Sequence, residues 1–194
     1  MQQRMAELEE IDRQDRTDGT PKDQRMRQVP AETGRFLALL AASAPQGEFL
    51  EVGSSGGYSG MWLSLPCAER GTRLVSFDIL PNKIALARQT FEVAGVAHLI
   101  ELIQGDARDY LGHYHHVAFC FLDAEKEVYK DCYDLVVPNL VPGGLLVADN
   151  AISHGEALAG MIEAALGDPR LDSLVVPIGK GVLVCRKIGE ISSV

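Results

Sequence analysis

The sequence has no apolar run approaching the roughly 18–20 residues that a helix needs to cross a bilayer. Its first 12 residues are polar and lack the apolar centre of a secretory signal, so the expected location is the cytoplasm, away from any membrane. Basic charge is also scarce: 18 Lys and Arg stand against 27 Asp and Glu, a formal net charge of −9. Broad phosphate contact needs clustered Lys and Arg, so this balance disfavours nucleic acid as a partner. Cysteines are few and scattered. Cys67, Cys120, Cys132 and Cys185 include no C-x-x-C pair, which predicts reduced, buried thiols rather than disulfides or a zinc site. There is no internal repeat and no low-complexity stretch.

What is present is ordinary for one globular domain: 194 residues, 46% hydrophobic and 23% charged. The expected organisation is a single domain over 1–194, with 1–24 as an amino-terminal helical extension. A charged helix is expected over 1–14, then a turn-rich break at 16–22 (RTDGTPK) whose mixed charges predict a solvated surface. Pro30 opens a core helix over 31–44. From there strands at 49–52, 73–77, 98–103, 117–122 and 145–148 alternate with helices at 58–65, 81–94, 107–111, 126–137 and 153–166. Closing strands at 174–177 and 182–186 are joined by a Gly179-Lys180-Gly181 hairpin turn. Continuous apolar strands alternating with helices predict an α/β fold, a mostly parallel sheet with helices on both faces. The closing hairpin adds one antiparallel strand near the edge.

Ligands of such sheets collect at the carboxyl ends of the strands. The segment EVGSSGGYSG, residues 51–60, joins the first strand to a helix through glycines that permit close approach of a ligand to the backbone. Asp78 ends the second strand, Gly105-Asp106 the third, Asp123 the fourth and Asp149-Asn150 the fifth. One aspartate after a strand is usually a cap or turn residue, but that explanation is poor for successive strands. Asp78 stands where an acid can take two ribose hydroxyls. The turn is not G-x-G-x-x-G, which argues against NAD and suits a ligand without a pyrophosphate. Asp123, Asp149 and Asn150 are hard oxygen donors suited to octahedral Mg²⁺. Lys126, three residues after Asp123, is either an ordinary surface lysine or a base made neutral by burial beside a cation. His113, His115 and His116 lack a further ligand at useful spacing and are expected in a solvated loop.

EVGSSGGYS, Asp78, GDA, FLDAEKEVY, PGGLLVADN and PIGKGVLVCRK together resemble the cation-dependent O-methyltransferases, a family that includes the catechol and caffeoyl-coenzyme A enzymes and many bacterial relatives. The resemblance runs over residues 26–187, and the DAEK form is closer to the caffeoyl-coenzyme A and bacterial branch. It implies S-adenosylmethionine as methyl donor, a Rossmann-like sheet of seven strands and a homodimer. It implies donor contacts at Val29, Glu51, Gly53, Ser59, Asp78, Asp106, Ala107 and Asp123. It implies metal ligands at Asp123, Asp149 and Asn150, with Mg²⁺, Mn²⁺ or Ca²⁺ as the ion, and Lys126 as general base. The acceptor implied is a small vicinal-dihydroxy phenol. After Asn150 the chain reads AISHGEAL, without the aromatic or Leu-Trp residues of the plant enzymes, which points away from a caffeoyl-coenzyme A substrate. Two further readings remain: methylation of a hydroxylated transfer-RNA base, and a donor-binding module without catalysis.

Overall fold

The computed structural model of the protein describes residues 1–21 and 24–189. Among the described residues seven strands form one sheet: β1 (Glu48–Val52), β2 (Leu74–Asp78), β3 (Ile100–Gln104), β4 (Val117–Leu122), β5 (Leu140–Ala148), β6 (Leu171–Val176) and β7 (Val182–Lys187). Their order is β3-β2-β1-β4-β5-β7-β6. β1 to β5 pair in parallel, while β7 is antiparallel to both β5 and β6. The single antiparallel strand therefore lies next to the edge, as the closing hairpin predicts. Strand order reverses between β1 and β4, the switch point where such sheets open a crevice.

The apolar strands bury both faces. Leu50, Val52, Cys120, Leu122 and Leu146 point toward α5 (Arg108–Leu111), α6 (Tyr129–Val136) and α7 (Gly155–Gly167). The alternate residues Phe49, Phe119, Phe121 and Val147 point toward α1 (Gln2–Asp15), α2 (Ala31–Ser43), α3 (Tyr58–Arg70) and α4 (Pro81–Ala94). This period-2 division of one hydrophobic strand between two cores is what a parallel sheet covered on both sides requires.

Boundaries differ from the sequence expectation where local geometry departs from a simple period. Residues 97–99 and 126–128 form 3₁₀ turns, so β3 starts later than expected and α6 begins at Tyr129. α3 runs through Pro66 to Arg70, whereas proline reads in sequence as a helix stop. β5 extends back to Leu140, through a Pro142-Gly143-Gly144 stretch that hides it and with a shifted register against β4. β6 starts at Leu171 because Leu-Asp-Ser-Leu alternates buried and exposed on a sheet edge.

α1 is tied to the rest of the fold by its charges as well as by its apolar residues. Met5 and Leu8 are buried, and Tyr58 Oη donates to Glu9 at 2.5 Å. Asp15 accepts from the backbone amide of Met26 at 2.8 Å, and Asp12 from that of Gln28 at 3.3 Å. α1 thus holds the segment that leads into α2. Lys22, the last residue of the expected turn-rich break, lies outside the described residues. No helix among the described residues is long and apolar enough to cross a membrane.

Candidate active site

Ladder hydrogen bonds continue past the strand ends and place the rim residues side by side. Gly53 N donates to Phe77 O at 2.8 Å, Asp123 N to Val52 O at 2.9 Å and Asp149 N to Leu122 O at 3.0 Å. Gly53 has φ 103°, and a Cβ there would fall 2.3 Å from the backbone oxygen of Asp123. Only glycine lets the β1–α3 turn and the β4 loop meet in this way. Ser55, also left-handed at φ 43°, donates its N–H to Asp78 Oδ2 at 2.8 Å, while Leu80 N donates to Asp78 Oδ1 at 3.0 Å.

These elements enclose a cavity of about 260 Å³. Gly53, Asp78, Asp106, Ala107 and Asp123 line it, with apolar surface from Phe77, Ile79, Leu80, Val128 and Cys132. Asp106 is paired: both its oxygens accept from Arg108, whose remaining guanidinium nitrogen reaches Asp131 at 2.9 Å. Those hydrogen bonds hold the Asp106 carboxyl below its ordinary range. At the mouth Arg27, at φ 52°, forms an ion pair with Glu125 across the opening. Ser55 Oγ donates to Met26 O at 2.7 Å and Lys83 Nζ to Arg25 O, which ties the Arg25–Arg27 backbone to the cavity wall.

Beneath the turn Glu51 is wholly buried. Ser76 donates to its Oε2 at 2.5 Å, and Ser76 is joined in turn to Ser54. Its Oε1 has no hydrogen-bond partner. Burial raises the Glu51 carboxyl to about 7, against the opposing pull of the nearby Ser59 and Ser76 hydroxyls.

The ends of β4 and β5 carry a different group. Asn150, in the left-handed region at φ 68°, donates Nδ2 to Asp123 Oδ1 at 2.8 Å. Lys126 Nζ lies 3.6 Å from the same oxygen and donates to Ala124 O at 2.9 Å and Tyr129 Oη at 3.0 Å. Burial lowers the Lys126 pKa, against the opposing pull of Asp123 and Asp149. Asp149 is fully buried and neither of its carboxylate oxygens has a hydrogen-bond partner. Desolvation, and then the charge of Asp123, raise its carboxyl to about 6. Two bare buried oxygens aimed beside a second carboxylate and an amide fit a hard divalent cation. Among the described residues no cluster of three or more His, Cys, Asp or Glu is placed to hold a metal. The candidate set is two carboxylates plus the Asn150 amide.

Most of the expected site residues therefore converge, although not all on the cavity. Gly53, Asp78, Asp106, Ala107 and Asp123 line it, and Lys126, Asp149 and Asn150 stand at its β4–β5 end. Glu51 and Ser59 are buried and are not among the lining residues. Val29 is buried in the core shared by α1, α2 and α3, and Arg27 lines the cavity in its place. Arg27 and Tyr129 carry no sequence signal of their own, since their positions depend on a left-handed residue and on the 3₁₀ turn before α6. His113, His115 and His116 are exposed, and all four cysteines are free and buried.

Comparison with known proteins gives this geometry a family. The chain is 27% identical over 183 residues to caffeoyl-CoA O-methyltransferase 2 of Petunia hybrida, covering 81% of this chain and 75% of that protein. It is 34% identical over 133 residues to catechol O-methyltransferase of Mycobacterium tuberculosis, covering 68% of this chain and 60% of that one. The fold matches the crystal structure of SAH-bound Podospora anserina methyltransferase PaMTH1 with a TM-score of 0.80 at 22% identity, over 96% of this chain and 88% of that one. The O-methyltransferase family model matches residues 2–188, nearly the whole chain, and the chain belongs to that family of enzymes.

Proposed function

We propose that the protein transfers the methyl group of S-adenosylmethionine to one hydroxyl of a small vicinal-dihydroxy, catechol-like acceptor, with a divalent cation held by Asp123, Asp149 and Asn150. The observation that carries this reading is Asp149, a fully buried carboxylate with both oxygens unpartnered beside Asp123. A buried carboxylate in that state is costly unless a cation completes it. Mg²⁺ is the first choice, with Mn²⁺ or Ca²⁺ able to take the same oxygen donors. The cation supplies positive charge that lowers the pKa of an adjacent acceptor hydroxyl and fixes its place. The donor supplies a methyl group on a positively charged sulfur.

The chain's own residues provide alignment and proton transfer. Asp78 and Asp106 face the cavity at the ends of β2 and β3, suited to the ribose and the adenine edge of the donor. Ile79, Leu80 and Ala107 offer apolar walls for its base. Gly53 opens the backbone for the donor's remaining part, and Glu51 and Ser59 support that turn from beneath. Val29 acts in the same indirect way, through the core behind the strap that carries Arg27. Lys126 is held by the Ala124 carbonyl and Tyr129 hydroxyl, and its burial favours the neutral amine, which can hold the acceptor's proton at Nζ. Asp123 is shared between the two halves, lining the cavity and contacting Asn150 and Lys126. Rate enhancement comes mainly from holding donor and acceptor in line. A cytoplasmic homodimer whose 1–24 extension belongs to one methyltransferase domain completes this reading.

The test is transfer of labelled methyl from S-adenosylmethionine to a set of vicinal diphenols, with Mg²⁺ and with chelator. Transfer that stops with chelator is expected. Transfer that persists undiminished would overturn the role given to Asp149.

A further inference from the structure

The β6–β7 hairpin brings one more cation to this rim. β7 pairs antiparallel with β5, with Leu183 opposite Ala148, so the residues just before β7 lie beyond the end of β5 beside Asp149 and Asn150. Their backbones are locked together: Ala151 N donates to Gly181 O at 2.9 Å, and Ile152 N and Ser153 N both donate to Lys180 O at 3.2 and 2.9 Å. Gly181, at φ 86°, lies so close that a Cβ would fall 2.3 Å from Ile152 Cγ1. Lys180 thus has a fixed base next to the acceptor end. Lys180 is close enough for its charge to be felt at Asp149.

Among the described residues the Lys180 ammonium has neither a hydrogen bond nor an ion pair, in contrast to Lys126, Lys130 and Lys187. Beside it Ile152 is 56% exposed, an apolar shelf at the same loop. With a divalent cation balancing the two negative charges of Asp123 and Asp149, Lys180 would add positive charge at this end of the rim. The chain carries −9 overall and repels anions at long range, so an anionic acceptor needs a local cation to be held.

We propose that Lys180 selects acceptors that bear a carboxylate on the dihydroxylated ring, with Ile152 beneath the ring and the ammonium on the carboxylate. This rests on the diphenol reading above. The substrate class is then an acidic catechol rather than a neutral one.

The test compares kcat/KM for 3,4-dihydroxybenzoate and for its methyl ester, at fixed S-adenosylmethionine and Mg²⁺, in the native protein, K180M, K180Q and K180R. The native protein is expected to favour the acid. K180M and K180Q should lower the acid-to-ester ratio by about tenfold, the scale of one charge-assisted hydrogen bond, whatever their absolute rates. K180R should retain most of the preference, a rescue that a general disturbance of the hairpin would not give. A ratio unchanged in K180M or K180Q overturns the assignment of Lys180 and leaves the diphenol reading standing. Transfer to neither compound by the native protein overturns the diphenol reading, and this proposal with it.

Discussion

At the β2 and β3 ends of the rim the carboxylates are already satisfied: Asp78 accepts two backbone amides and Asp106 is bound by Arg108. At the β5 end Asp149 has no partner on either oxygen, and its carboxyl is raised to about 6, whereas that of Asp106 is lowered. The same residue type, in the same position after successive strands, is therefore in opposite electrostatic states. The first half is preorganised by the protein alone, which suits recognition of a neutral ribose and base. The second is incomplete without added positive charge, which suits a cation. Asp123 and Gly53 form the seam, since the glycine's missing side chain lets the two halves touch.

The largest expected effect strikes the incomplete half. D149N should reduce turnover by about a thousandfold and abolish its dependence on added cation, because a coordinating charge is lost. Donor affinity, measured by calorimetry, should stay within about threefold, since hydrogen bonds on the donor side are untouched. Equal loss of donor binding would erase the distinction between the halves.

G53A strikes the seam. A Cβ would overlap the Asp123 backbone and φ 103° is unfavourable for alanine. Destabilisation of about 3 kcal/mol is expected in urea unfolding, from strain and overpacking together. A loss below about 1 kcal/mol would show that the turn and the β4 loop are not in close contact.

A third change sharpens the contrast through pH. The folded-state carboxyl of Glu51 is raised from an ordinary 4.5 to about 7. A raised carboxyl contributes stability that is complete below its unfolded pKa and is lost as pH rises through the folded value. Glu51 should therefore account for about 2 kcal/mol of the stability that the ligand-free protein loses between pH 5 and 8, and E51Q should make the slope shallower while the raised Asp149 carboxyl keeps part of it. Parallel curves for the two proteins would assign the loss elsewhere.

The smallest effect is expected at the mouth. Arg27 and Glu125 are 37% and 62% exposed, so breaking the pair should cost less than about 1 kcal/mol in thermal unfolding and fade with salt. A larger cost would mean that the Arg27 strap contributes to the fold as well as covering the cavity.

The sheet was legible in the sequence because its central strands are apolar on both faces and helical patterns follow them, α4 being bounded by Pro81 and Gly95. β4, with all of Val117–Leu122 buried, is the plainest case. The rim was legible for the same reason: once the strands are placed, the aspartates that follow them share one edge. What escaped notice depends on three-dimensional geometry rather than period. The family resemblance implies a donor contact at Val29; the structure buries Val29 in the core, while Arg27, in the left-handed region, lines the cavity. The Pro-Gly-Gly in β5 conceals half of a strand that its pairing with β4 maintains. The charged helix α1 reads only as an extension, but its Asp12 and Asp15 accept from the backbone amides of Gln28 and Met26 and so hold the strap.

The central claim is that the β5 end holds a divalent cation independently of the donor half. The most direct test is titration of Mn²⁺ into the native protein and D149N, followed by electron paramagnetic resonance, with S-adenosylmethionine binding measured on the same samples. One tightly bound ion per native chain, none in D149N, and donor binding in both is the expected result. Equal Mn²⁺ binding by the two proteins, or none by the native chain, would contradict the account.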